Sequence, residues 1–342
     1  MKKVFELFQR IAFILKRFFP LLRYFGFLVA VNSLIFPFNR FFGSLRCYIA
    51  VHKHKAILNY LFSKYNDILF KHSNTISEFE SKIQTDSIIW TCWWDGENNM
   101  PPLVKSCYNS IKKYSNTHPI ELITKYNYFK FISIPQYIID KVNNGIITIT
   151  HFSNIIRANL LYEYGGIWMD ITIMVLNEIK IKDLFFFTLK APAKNSVSVT
   201  LTRFAGLSDY SKHFHNRQTK EISRWSGFLL AGSKHSVIFE YLRDILYAYW
   251  KDHDFQIDYL LFDYTIALGY DNIVMMKNEI DKVNCSDMEK FELEINLNNE
   301  YNNKDFEKYL LSTFHKLTWK KKFKITTKEN KKTIYGYLLN SY

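Results

Sequence analysis

Cysteine is rare in this sequence. Its four residues, Cys47, Cys92, Cys107 and Cys285, are widely spaced and form no CxxC pair. That excludes a zinc ribbon and a dithiol redox motif, and leaves reduced thiols of a cytosolic protein as the expectation. Long apolar runs are also missing. The longest uncharged run, Tyr24–Asn39, contains Pro37 and falls short of the roughly 20 residues that span a bilayer. A cleaved signal peptide is not expected either, because Lys16, Arg17 and Arg23 interrupt the apolar region and no convincing small-residue cleavage site follows. There is no internal repeat, no P-loop and no GxGxxG. Glycine numbers only 11 in 342 residues, yet two stand together in "YEYGGIWMDIT" (162–172), just before Asp170.

What is abundant is apolar and aromatic. Hydrophobic residues make up 48% of the chain, which rules out a disordered protein, and Phe and Tyr number 30 and 23. The length allows two domains, or one α/β domain with additions. Positive charge is concentrated at one end. Residues 1–55 hold five Lys and five Arg against Glu6 alone, so most of the net +13 belongs there. Over residues 4–19, Val4, Phe5, Phe8, Ile11, Ala12, Leu15, Phe18 and Phe19 recur at helical spacing, with Lys3, Arg10, Lys16 and Arg17 largely elsewhere. This pattern predicts a helix lying in an anionic membrane surface, cations toward headgroups. The competing reading packs these helices on the main domain or in a homo-oligomer. Nucleic acid is not expected, because the cations sit among bulky apolar residues rather than in a polar groove.

Along the rest of the chain, residues 56–83 read as a polar-faced helical connector. "DSIIWTCWWDG" from Asp86 reads as a buried first strand opening into a loop. Pro101 and Pro102 start a helix whose inward stripe is Leu103, Val104, Cys107, Ile111 and Tyr114. "HPIELITK" is a second strand, and "IPQYIIDKVNNG" a short helix ending at Gly145. In "HFSNIIRANLLYEYGG", Ser153 is the expected N-cap and Gly165 the left-handed residue ending the helix. "IWMDITIMVL" then reads as one strand, with Asp170 and Thr172 on one face beside Trp168 and Met174. Residues 223–233 read as a strand, two helices follow, and 284–305 is an Asn-rich loop ahead of a basic tail. Strand–helix–strand alternation argues an α/β fold with parallel pairs. The boundaries drawn are a membrane-associating segment and connector over 1–85 and a main domain over 86–342.

The combination "IWTCWWDG", "HFSNIIRANLLYEYGGIWMDIT", "YLLFDY" and "FHKLTWK" resembles the capsular polysaccharide synthesis glycosyltransferases, which are similar to the sugar transferases that carry a DxD motif. The likeness runs over roughly residues 86–320, and 151–172 is its specific part. It implies a GT-A fold, Rossmann-like, with added N- and C-terminal helices. It implies a donor that is a nucleoside-diphosphate sugar, usually UDP-linked, and transfer with retention of configuration. By the same likeness Trp90, Thr91, Cys92 and Trp93 would hold base and ribose. Ser153, Asn154 and Arg157 would grip ribose and sugar hydroxyls, and Asp170 would be the first Asp of DxD.

Two positions depart from the pattern: Asn154 stands where many relatives have Asp, and Thr172 replaces the second Asp. A hydroxyl is a weak ligand for a hard cation, so a Mn²⁺ or Mg²⁺ site would lean on Asp170 and His315. His315 and Lys316 match the region that reaches back to the diphosphate. Asp170, Asp263 and Asn154 are the expected catalytic residues. Gly165 and Gly166 let the chain turn close to the ligand, and Trp225 or Trp168 is a candidate sugar-stacking ring, with a place in the core as the reading that weighs more. The "HFH" pair, His213 and His215, is weak metal evidence. The expected activity is hexosyl transfer, galactosyl or glucosyl, to a polyprenyl-diphosphate-linked oligosaccharide at the inner face of the plasma membrane. A sugar-phosphate transferase of the same pathway, whose product phosphorus NMR would reveal, and a non-enzymatic scaffold with a degenerate site are the alternatives.

Overall fold

The computed structural model describes residues 18–27, 29–31, 43–74, 81–190, 224–286, 288 and 290–342. His213, His215 and most of the amphipathic pattern over 4–19 lie outside these residues. The described chain opens into a long helix, α1 (Gly43–Ser73), kinked at Tyr65. Then come β1 (Ile89–Cys92), α2 (Pro102–Tyr114), β2 (Ile120–Ile123), α3 (Gln136–Asn143), α4 (Ile149–Tyr164) and β3 (Gly166–Met169). The second half holds β4 (Ile173–Val175), β5 (Phe186–Thr188), β6 (Leu229–Gly232), α5 (Val237–Asp252), α6 (Leu261–Asn272), α7 (Val274–Lys282), β7 (Phe314–Lys316) and α8 (Ile334–Ser341), besides single helical turns.

Five strands form the central sheet in the order β2-β1-β3-β6-β5. β1 runs parallel to both β2 and β3, while β6 is antiparallel to β3 and β5. The two-residue period of a strand sorts the side chains. Trp90, Trp168 and Leu230 go to the face covered by α4, α5 and α6. Ile89, Ile167, Met169, Leu229 and Ala231 go to the face covered by Ile111 of α2 and by Ile173 and Val175. Burial on both faces suits a sheet with a parallel core. The architecture is mixed α/β and agrees with a Rossmann-like reading. After β1 the chain first builds β2 on one side and then crosses to build β3 on the other. The region beyond the carboxyl ends of β1 and β3 is therefore a topological switch point, the place where open α/β sheets bind ligands.

Several expectations change. The strand read over 167–176 is broken: the Ile173 amide donates to the Asp170 carbonyl (2.9 Å), closing a turn. β4 then leaves the main sheet and pairs antiparallel with β7, Ile173 opposite Lys316 and Met174 opposite His315. The segment 223–233 is strand only from Leu229, and β5 was not expected at all. The presumed polar connector is a packing helix. Ile57, Leu61, Tyr65 and Leu69 of α1, spaced by four, are buried in the same cluster as α5 and α6. Lys53 pairs with Asp258 at 2.9 Å, and His54 Nδ1 meets the Tyr264 hydroxyl. Leu21, Val29 and Ala30 also pack inward, and Tyr24 stacks on Phe255, whereas Phe19 and Phe27 stay exposed. The Asn-rich 284–305 stretch contains helical turns, and its Leu293 and Leu297, with Phe306 just beyond it, are buried in one cluster with Ile334 and Leu338 of α8.

Candidate functional site

α4 is capped by Thr148, whose hydroxyl accepts from the His151 amide. Ser153, the expected cap, lies inside the helix and donates to the Thr150 carbonyl at 2.7 Å. The helix places Asn154 and Arg157 one turn apart, both buried. Arg157 Nη2 donates to Asp170 Oδ1 at 3.1 Å and Nη1 to the Gly227 carbonyl. Its guanidinium lies 4.9 Å from the Trp168 ring centre and 5.0 Å from that of Phe262, within cation–π reach of both.

Asp170 sits where β3 ends. Besides Arg157, its Oδ1 accepts from the Trp168 indole at 3.0 Å, and its Oδ2 from Lys316 Nζ at 2.8 Å. The same Nζ donates to Thr172 Oγ1 at 2.7 Å. Asp170 and Thr172 thus converge as expected, but through the turn rather than along one strand. Burial pushes the Asp170 carboxyl up, yet Lys316 and Arg157 outweigh it and hold it below the usual carboxylate range. Burial pulls the Arg157 guanidinium down, opposed by Asp170 and then Asp263. Asp263, in the first turn of α6, is therefore close enough to act on Arg157. Cys92, at the end of β1, is a neutral thiol. Burial first and the Asp170 charge second push it up to about 12.

The structure thus gathers Arg157, Asp170, Thr172 and Lys316, with Cys92, Asn154 and Asp263 nearby, at the carboxyl ends of β1 and β3. Other expected site residues are placed in the core. Trp90 is 1% exposed and its indole donates to the Gly165 carbonyl at 2.9 Å, so no ring face is open to a base. Thr91 is fully buried. Trp93 is instead only half-buried, packed with Val104, Tyr108 and Ile171 and edge-on to Trp319. Trp225 is 6% exposed and packs near Tyr270, so it offers no stacking platform. Gly165 and Gly166 have φ of +65° and +95°. Gly165 has ψ −154°, outside the left-handed helical cap geometry. Their tight approach is to neighbouring backbone, Lys234 and Ile88.

His315 changes most. Strand alternation sends it away from Lys316 into the core beside Met174 and Tyr309. There it is 0% exposed, and Nε2 donates to the carbonyls of Tyr309 (2.9 Å) and Ser312 (3.0 Å). Among the described residues, no group of three or more His, Cys, Asp and Glu could hold an ion. Around Asp170 the donor set is one carboxylate and one hydroxyl, flanked by two cations. That set does not fit a divalent metal.

Burial pushes the His315 imidazole from 6.5 down to about 4, against the two carbonyls that favour its charged form. Between those values the unfolded chain binds the proton and the folded chain does not, so stability falls as pH drops. The expected loss from this one group is roughly 3 kcal/mol between pH 6.5 and pH 4. Urea unfolding of wild type and His315→Gln at pH 7 and pH 5 checks it: the variant should lose that part of the slope. Equal slopes would contradict this origin.

Residues missed from sequence also border the cluster. Phe228 lies 5.1 Å from Lys316 Nζ and 5.5 Å from Lys290 Nζ, and Lys290 reaches Ser226 Oγ at 3.2 Å. Reading 223–233 as strand hid the turn that carries Gly227 and Phe228. Nothing in the Asn-rich stretch marked Lys290.

With this geometry in view, the profile of the capsular polysaccharide synthesis proteins matches residues 44–338. The chain belongs to that family. The match begins ahead of the 85/86 boundary and takes in α1, which is packed on α5 and α6. Over 97 residues the chain is 25% identical to an O-glycosyltransferase of Annulohypoxylon truncatum (braB), covering 26% of this chain and 23% of the relative. The chain thus spans about a quarter of that relative's length. No solved structure matches it.

Proposed function

We propose that this member of the capsular polysaccharide synthesis family is a retaining GT-A glycosyltransferase. It moves a hexosyl residue, galactosyl or glucosyl, from a UDP-sugar to a lipid-linked oligosaccharide. The observation that carries the reading is the Arg157–Asp170–Lys316 cluster at the switch point of the sheet. Family membership and the partial likeness to an O-glycosyltransferase support it. In the reaction the sugar C1–O bond to the β-phosphate breaks and its electron pair leaves with the diphosphate. The acceptor hydroxyl oxygen bonds to C1 on the same face, and its proton passes to the departing phosphate oxygen. Charge grows on the diphosphate, so cations fixed beforehand beside it lower the barrier. Arg157 and Lys316 are such cations. Asp170 holds both in place. Asn154 and Asp263 flank the space as partners for sugar hydroxyls. A thermal-shift panel of UDP, GDP, ADP and CDP tests the donor class. UDP should raise Tm most; no shift with any nucleotide would remove the donor assignment.

The acceptor's lipid places the protein on the inner face of the plasma membrane. No helix of the described residues is long and apolar enough to cross a membrane. Residues 1–17 carry five Lys and Arg against Glu6, which suits an anionic surface. Because Leu21, Val29 and Ala30 pack inward, the clean truncation is 1–17. It should abolish most sedimentation with phosphatidylglycerol liposomes while donor hydrolysis persists. Undiminished liposome binding would move the membrane role elsewhere.

A further inference from the structure

We infer that Lys316 stands where a divalent cation would otherwise sit, so that this protein takes a nucleoside diphosphate without a metal ion. The inference rests on the donor reading above and deepens it. The position between Asp170 and Thr172 is the place from which these two side chains would hold an ion together. The Lys316 ammonium fills it, 2.8 Å from one and 2.7 Å from the other. The placement is built by the backbone: Lys316 is opposite Ile173 in the β4–β7 pair. Its amide donates to the Lys290 carbonyl at 2.8 Å, and the next amide, that of Leu317, donates to the Thr172 carbonyl at 2.9 Å.

Three further observations disfavour an ion there. Both Asp170 oxygens already accept N–H bonds, from Arg157 and Trp168 on one and Lys316 on the other. A second carboxylate is missing, and His315 is engaged in the core. A doubly charged ion on Asp170 would lie within a few ångströms of two protein cations, a repulsion that only added carboxylates could offset. A diphosphate meets the opposite field. An ammonium has three donors, of which two are spent on Asp170 and Thr172. The side chain keeps 17% of its surface exposed, so the third donor can reach a phosphate oxygen. Arg157 Nε is also buried without a partner among the described residues, which leaves unused donor capacity beside Lys316.

Diphosphate is shared by two sources, the nucleotide donor and the polyprenyl acceptor, and we assign Lys316 to the donor. The test is calorimetric titration of the full chain with UDP, and separately with farnesyl diphosphate, in EDTA and in MnCl₂. The expected result is UDP binding whose Kd changes less than about 2-fold between the two buffers. Lys316→Met should weaken UDP at least about 10-fold in both, with circular dichroism confirming the fold, and Lys316→Arg should restore part of the loss. Manganese EPR should show no ion taken up by wild type with UDP beyond what UDP alone takes. The double variant Lys316→Ala/Thr172→Asp should gain UDP-linked Mn²⁺ uptake. UDP binding only with Mn²⁺, or unchanged binding by folded Lys316→Met, would overturn the inference. Binding of farnesyl diphosphate but not UDP would overturn the assignment to the donor. UDP binding that is metal-dependent sinks the inference but keeps the donor reading; absence of UDP binding in every buffer sinks both.

Discussion

Asp170→Asn should lower sugar transfer by at least about 100-fold in a protein that still folds. The carboxylate accepts on both oxygens, two donors on Oδ1 and one on Oδ2. An amide has one acceptor oxygen, so whichever way it turns, its NH₂ faces a donor. Either the Arg157–Trp168 side or Lys316 is repelled from its place, and the cation group proposed to meet the diphosphate loses its geometry. Arg157 is then buried without its counter-charge. That costs roughly 3 kcal/mol of stability, the lower end for a buried ion pair that loses one partner, because Asp170 is itself partly exposed. The fold should survive this, because the surrounding sheet and helices are untouched. Turnover and Tm of the purified variant decide the matter. Near-normal turnover by a folded Asp170→Asn protein would defeat the assignment.

The second large effect is structural. Gly166→Ala should destabilise the protein by about 3 kcal/mol or more, or abolish soluble expression. A Cβ at Gly166 would lie 2.5 Å from the Ile88 carbonyl oxygen, at a φ of +95° that L-residues rarely adopt. That carbonyl accepts from the Ile167 amide at 2.8 Å, a bond of the β1–β3 junction. Relief of the clash must open this junction, and Asp170 lies only four residues on. Gly96→Ala is the control. Its φ is +85° with ψ 166°, but nothing lies within 4 Å of the added carbon, so backbone strain of about 1–3 kcal/mol applies without a clash. Urea midpoints of the two variants should therefore differ widely. Equal midpoints would show that the close approach at Gly166 is not limiting.

Local pattern carried much of this in the sequence. The prolines at 101–102 start α2, the apolar stripe of α4 is a helix, and the period of two around Trp168 sorts the faces of β3. Arg157 and Asp170 were visible because they flank the glycine pair within one helix–strand unit. What stayed hidden depends on partners distant in sequence. Lys316 meets Asp170 across 146 residues, and only the turn after Asp170 frees β4 to pair with β7. Adjacent residues on β7 also part company, as strand alternation dictates: His315 goes to the core and Lys316 to the site. Trp90 was a ligand candidate only through the family likeness, and for Trp225 core and sugar platform both stood open, because an aromatic side chain reads alike in the two settings. The glycine pair marked a close approach correctly, but the approaching group is the backbone of neighbouring segments.

The central claim is that this site transfers a sugar from a nucleotide donor with retention. Proton NMR of the wild-type protein incubated with a panel of nucleotide sugars follows both consumption and the anomer first released. The account predicts that a UDP-hexose is consumed, that the α-donor yields the α-sugar before mutarotation, and that Asp170→Asn leaves the donor intact. First appearance of the β-sugar, or consumption of no donor in the panel, would contradict it.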